Sequence, residues 1–214
     1  MKLYHYSHCP FCVRVRMGFG LLGIPFTTEL VPYDDEKTPV SLTGKKMLPI
    51  VVDDQGNAKN ESLDILRDVD SKNILSWDKL ILLNDEVEKT LSALGSDVHS
   101  LAMPHWVWSK EFNEESRKYF QSKKESKRGP FIDLIKNRQQ FEDSIQIKLA
   151  ELEKKLTPFY QSEKLTIIDI MLAAHIWGLY VVPEFQFSPK LHQYLQNIKK
   201  TTHFNYQEDL WKTN

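Results

Sequence analysis

The sequence predicts two folded units in series, a small α/β unit over residues 1–72 and an all-helical unit over residues 85–214, joined by a linker at 73–84. Three observations predict this. Short apolar or alternating runs, broken by turn residues, fill the first seventy positions and enclose one longer helical segment. From Asp85 onward the apolar residues recur at helical spacing instead. Composition also shifts at the join, because all five tryptophans lie at or beyond Trp77.

The elements follow in order. Lys2-Leu3-Tyr4-His5-Tyr6 alternates and reads as a first strand. Residues 10–22 carry two patterns at once. Phe11, Val13, Val15, Met17, Phe19 and Leu21 alternate as a strand would, while Cys12, Val15, Phe19 and Leu22 form a helical stripe. Length decides for a helix, since a dozen residues exceeds a usual strand and Pro10 suits a first helical position. Gly23-Ile24-Pro25 ends it, and residues 26–31 read as a second strand, giving a β-α-β unit with a right-handed crossover. Residues 34–46 read as a loop with a short helix. Residues 48–53 form a third strand, Asp54-Gln55-Gly56-Asn57 a turn, and Ala58-Lys59-Asn60 a brief antiparallel return. Glu61-Ser62 opens a helix with Ser62 as its N-cap and Leu63, Ile65, Leu66 and Val69 inward. Beyond the linker, helices are expected at about 85–103, through a charged stretch to about 127, then at 131–156, 166–180 and 189–199, with a last turn near 203–211. Ile145, Leu149, Leu152 and Leu156 recur at helical spacing, and Thr166-Ile167-Ile168-Asp169 resembles a capping box with Asp as its acid.

Cys9 and Cys12 are the only cysteines, two residues apart, at the junction of the first strand and first helix. Such a pair reads as a redox site. With Pro10 at the first helical position, Cys9 falls at the N-cap, where free amides and the helix dipole stabilise a thiolate. Thiols so placed have pKa values lowered from ~8.5 to roughly 3.5–7.5. Cys9 is therefore the attacking sulfur, and Cys12, one turn in, resolves the mixed disulfide. A zinc half-site built from His5, His8, Cys9 and Cys12 is the rival, but no second ligand pair follows at finger spacing, and no metal is expected. Tyr6 and Ser7 precede the site, and Tyr6 is read as strand core rather than as a thiol activator.

The β-α-β-α-β-β-α order is that of the thioredoxin fold. Cys9-Pro10-Phe11-Cys12 after the first strand, Leu48-Pro49 opening the third and Glu61-Ser62 at the last helix resemble a glutaredoxin. With the long helical remainder, the chain is similar to the glutaredoxin 2 family. That resemblance implies a thioredoxin-like N-terminal domain followed by an all-α, glutathione-transferase-like C-terminal domain. It implies a glutathione-dependent thiol–disulfide oxidoreductase that acts on protein and mixed glutathione disulfides. Glutathione would be the co-substrate, with no tightly bound cofactor. A cis-Pro49 would expose the backbone of Leu48 to the cysteinyl part of glutathione. Glu61 and Ser62 would hold its γ-glutamyl end, and Lys45 or Lys46 its glycine carboxylate, with Arg14 and Arg16 as alternatives. Phe11 departs from the commoner tyrosine at its position, keeping an apolar wall beside the sulfur and dropping a hydroxyl.

Composition narrows the field further. Hydrophobic and charged fractions of 41% and 27% suit a globular chain, and a formal net charge of −1 argues against bulk nucleic-acid or membrane binding. No apolar run reaches the ~20 residues of a membrane span, and the start lacks a signal-peptide pattern. Two reactive-looking cysteines suit a reducing compartment, so a cytoplasmic monomer is expected. The basic cluster Arg117-Lys118 and Lys123 to Arg128 is read as a solvated helix end, with docking of acidic partners as the alternative. Two other functions stay open: a glutathione transferase, conjugating or cysteine-type, and a non-catalytic adaptor with a transferase-like shell.

Overall fold

The computed structural model describes residues 1–209, so the expected last turn near 203–211 lies partly outside the described residues. A four-stranded sheet forms the N-terminal layer, from β1 (Lys2–His5), β2 (Thr27–Leu30), β3 (Ile50–Val52) and β4 (Ala58–Lys59), in the order β2-β1-β3-β4. β1 runs parallel to β2 with Lys2 opposite Thr27, and antiparallel to β3 with Leu3 opposite Val51. One of the two edge strands, β2, presents Thr27, Thr28 and Glu29 to solvent, which discourages pairing at an open edge. The β3–β4 turn is tied by Asp53, whose Oδ1 accepts from the backbone N–H of Gln55 and Asn57 at 2.9 and 2.8 Å.

Three helices belong to this layer: α1 (Pro10–Leu22), α2 (Lys37–Thr43) and α3 (Ser62–Val69). Pro10 opens α1, and Gly23 closes it in the left-handed conformation at φ 65°, while Ile24 N–H returns to the Phe19 carbonyl at 2.9 Å. The double pattern of residues 10–22 now has a cause. α1 is buried nearly all round, including Val13, Val15, Met17 and Phe19, because it lies between α3 on one side and the helical unit on the other. A Cβ at Gly18 would meet Leu66 of α3, and one at Gly20 would stand 1.8 Å from the backbone oxygen of Thr202.

The expected linker is shorter than the sequence suggests. α4 (Trp77–Trp106) begins eight residues before Asp85, on a turn organised by Asp70. That carboxylate accepts from the N–H groups of Ile74 and Leu75 and from the Trp77 indole at 2.8, 2.9 and 3.0 Å. A buried acid satisfied by local donors holds the chain in place more firmly than a polar spacer would.

α5 (Glu114–Arg128) starts in a capping box of Asn113 and Ser116 and stops at Gly129-Pro130. The helix expected over 131–156 is broken at Asn137 into α6 (Phe131–Lys136) and α7 (Arg138–Glu153), with Ile145, Leu149 and Leu152 inward. α8 (Ile167–Ile176) is buried almost throughout and continues as a 3₁₀ turn over Trp177–Val181. α9 (Pro189–Thr202) opens with Ser188 accepting from Leu191 N–H at 3.1 Å. One continuous apolar core runs from Leu3, Val13, Met17 and Phe19 through Leu94, Val98, Ile170 and Trp177 to Leu195 and Ile198. No helix among the described residues is long and apolar enough to cross a membrane.

Candidate active site

Cys9 occupies the N-cap of α1 in extended conformation, and its carbonyl accepts the first helical bond from Val13 N–H at 3.0 Å. Cys9 is half-buried and Cys12 is fully buried, both as free thiols. The Cys12 thiol donating to the Cys9 sulfur is the main effect that brings the Cys9 thiol down to about 7. His8 and the backbone amides of Phe11 and Cys12 act in the same direction, and burial opposes them. Burial and the neighbouring Cys9 push the Cys12 thiol well above the ordinary range. Cys12 Sγ also accepts from Tyr6 N–H at 3.4 Å. The two sulfurs are thus unequal, one ready to ionise at neutral pH and the other held as a donor.

Around this pair the structure gathers several of the residues singled out in the sequence. Leu48 is buried in a cluster with Tyr6, Cys12, Val31 and Ile50, against which Cys9 packs, and the Leu48–Pro49 peptide bond is cis. Phe11 stands 47% exposed at the lip, its ring edge-on to His175 of α8 at 5.9 Å and under the Arg14 guanidinium at 5.1 Å. Tyr6 is packed as strand core, its ring stacked on His8 at 5.4 Å and its hydroxyl without a partner.

Glu61 and Ser62 sit at the start of α3, but Ser62 is not its N-cap. Glu61 holds that position, at φ 71°, and Ser62 is the first helical residue, its hydroxyl accepting from Arg14 Nη1 at 3.2 Å. No side chain caps α3, so its leading amides are open to an anion. Arg14 is buried, with Nε unpaired, and burial lowers it to about 10. It therefore sits with Ser62 at the start of α3. Arg16 points elsewhere, to Asp209 and the Phe204 ring. Lys45 is exposed, whereas Lys46 is engaged, its Nζ 3.1 Å from Glu36 Oε1 and 3.2 Å from the Tyr119 hydroxyl.

Part of the site had no sequence signal. Glu111, just after α4, is bonded to His8, and Tyr33, Phe112 and Phe120 wall that contact. Lys124, expected as part of a solvated helix end, instead lies partly buried over the Tyr33 and Phe120 rings at 5.6 and 5.4 Å. Burial, with Lys127 and Arg128, lowers its pKa, and Cys9 acts in the opposite direction.

Known proteins resemble this chain over both units. Residues 86–209 match the family model described as Glutaredoxin 2, C terminal domain, and residues 8–72 match Glutathione S-transferase, N-terminal domain. Glutaredoxin 2 of Escherichia coli (strain K12) is 32% identical over 213 residues, covering 96% of this chain and 97% of that protein. The crystal structure of Glutaredoxin 2 from Salmonella typhimurium in complex with glutathione superposes with a TM-score of 0.84 at 31% identity, covering 96% and 95% of the two chains. A glutathione S-transferase of Ceriporiopsis subvermispora, also solved with glutathione, shares the fold at a TM-score of 0.77 and 16% identity, covering 94% and 96%.

Proposed function

The chain belongs to the glutaredoxin 2 family, and from that premise we propose that it is a glutathione-dependent thiol–disulfide oxidoreductase working through Cys9 and Cys12. The observation that carries this reading is the inequality of the two sulfurs at the head of α1, with Cys9 down to about 7 and Cys12 raised. Glutathione in the Salmonella relative supports it as the co-substrate here.

In the reaction, the Cys9 thiolate attacks the glutathionyl sulfur of a mixed disulfide. A Cys9–glutathione disulfide forms, the old S–S bond breaks, and the substrate sulfur leaves as thiolate and takes a proton from water. A second glutathione thiolate then attacks the bound glutathionyl sulfur, freeing Cys9 and giving glutathione disulfide. Alternatively, deprotonated Cys12 attacks Cys9, expels glutathione and closes an internal disulfide that two glutathione molecules reopen. The backbone of Leu48 would pair with the cysteinyl part, and the open amides of α3 with the γ-glutamyl carboxylate. The Ser62 hydroxyl, accepting from Arg14, keeps its own proton to offer outward, and Glu61 is the acid for the ligand's amine. Lys45 and Lys46 are the cations for the glycine carboxylate.

We take residues 1–72 as the redox unit and 85 onward as the helical unit, supported by the separate matches over 8–72 and 86–209. A reactive dithiol suits a reducing compartment, hence a cytoplasmic site of action. The test is exchange between glutathione and a small mixed disulfide by wild type, Cys9→Ser and Cys12→Ser. Loss of nearly all turnover in Cys9→Ser is expected, with Cys12→Ser still active on mixed disulfides. A Cys9→Ser protein that keeps most of its activity overturns the assignment, and efficient conjugation of an aryl halide would favour a transferase instead.

A further inference from the structure

His8 and Glu111 join the two units across 103 positions of sequence. The His8 backbone N–H donates to Glu111 Oε2 at 3.2 Å, and ring Nδ1 lies 2.9 Å from Oε1. The Glu111 side chain is completely enclosed, and that of His8 is only 9% exposed. A carboxylate withdrawn from water needs donors or a cation, and both of its oxygens find them in His8. The imidazole has little freedom to turn away, because Tyr6, Tyr33, Trp106, Phe112 and Phe120 box it in with ring centroids 5.0 to 5.6 Å distant. His8 is also the residue immediately before Cys9.

We propose that Glu111 is a positioning residue for the chemistry of Cys9: by gripping His8 it holds in place the imidazole of the residue next to the reacting sulfur, so that the helical unit sets the charge this sulfur faces. The proposal rests on Cys9 being the reacting thiol. The other titratable groups near His8 do not supply that charge. Burial raises the Tyr6 and Tyr33 phenols, which stay neutral, and lowers His5 to about 4 and His99 to about 3, which are neutral as well. Cys12 stays a thiol. Lys124 of α5 and Arg14 of α1 are further cations near Cys9, and neither acts through Glu111.

The experiment follows alkylation of the Cys9 peptide by iodoacetamide against pH, read by mass spectrometry, in wild type, Glu111→Gln, His8→Asn and the double variant. Each single variant should move the midpoint upward and slow alkylation at pH 6.5 by about threefold or more, the equivalent of half a unit in pKa. The double variant should be no slower than His8→Asn alone, since Glu111 acts through His8. An unchanged midpoint in Glu111→Gln, or a full further shift on top of His8→Asn, overturns the proposal. If Glu111→Gln does not fold, nitrogen NMR of the wild-type His8 ring decides. A ring protonated at pH 7 whose signals move as Cys9 ionises supports the proposal, and a neutral ring overturns it. Alkylation reports the sulfur's charge whatever disulfide it serves, so this result is independent of the exchange assay above.

Discussion

Cys12 does more for Cys9 than wait to resolve a disulfide. Its thiol is the largest influence holding Cys9 near 7, so Cys12→Ala should raise the midpoint of Cys9 alkylation above that of wild type. The sign with pH follows from the thiolate being the nucleophile. In wild type the alkylation rate should fall as pH drops through about 7 and level off above it. A midpoint near that of an exposed thiol in wild type, or no change in Cys12→Ala, contradicts this account. At this scale the sequence was informative where the signal is local. Cys9, Pro10 and Cys12 fall within four positions, and their roles follow from a helix start. Glu111 could not be found that way, since nothing around it in sequence distinguishes it from a surface acid. The spacing of His8 from His5 suggests a metal ligand, whereas its hydrogen-bond partner lies just beyond a distant helix.

Among the helices, α8 shows how one side chain can fix an end and a neighbour together. Asp169 accepts from Thr166 N–H at 2.7 Å and its hydroxyl at 2.9 Å, from Tyr160 N–H at 2.7 Å and from the Tyr194 hydroxyl at 3.0 Å. Asp169→Ala removes a helix-end contact and strands buried donors, and should cost about 3–5 kcal/mol in denaturant unfolding. A loss below about 1 kcal/mol would mean that water replaces those bonds. The Thr-x-x-Asp spacing announced the cap, but Tyr160 and Tyr194 as further donors required the fold. α1 shows the reverse case. Its alternating pattern misleads because a helix covered on two sides has no polar face for the 3.6-residue period to mark. Gly20→Ala tests that double cover: a methyl group there meets backbone oxygen, which cannot rotate aside as a side chain can, and should destabilise by about 1–3 kcal/mol or more.

For the whole molecule, the continuous core predicts that the two units unfold together. The tryptophans described, Trp77, Trp106, Trp108 and Trp177, all lie from the first turn of α4 onward, whereas Cys12 is buried in the N-terminal unit. Trp fluorescence and Cys12 accessibility should therefore report one shared denaturation midpoint, and two well-separated midpoints would show independent units. The order of strands and helices was legible because each short element carries its own turn signals. The merging of the two cores was not, since apolar residues in sequence do not declare which of two neighbouring layers they enter. The junction behaves accordingly. A knot of three hydrogen bonds on one acid, at Asp70, ties the end of α3 to the first turn of α4. A joint fastened in that way leaves the last helix of one layer and the first helix of the next little slack to part.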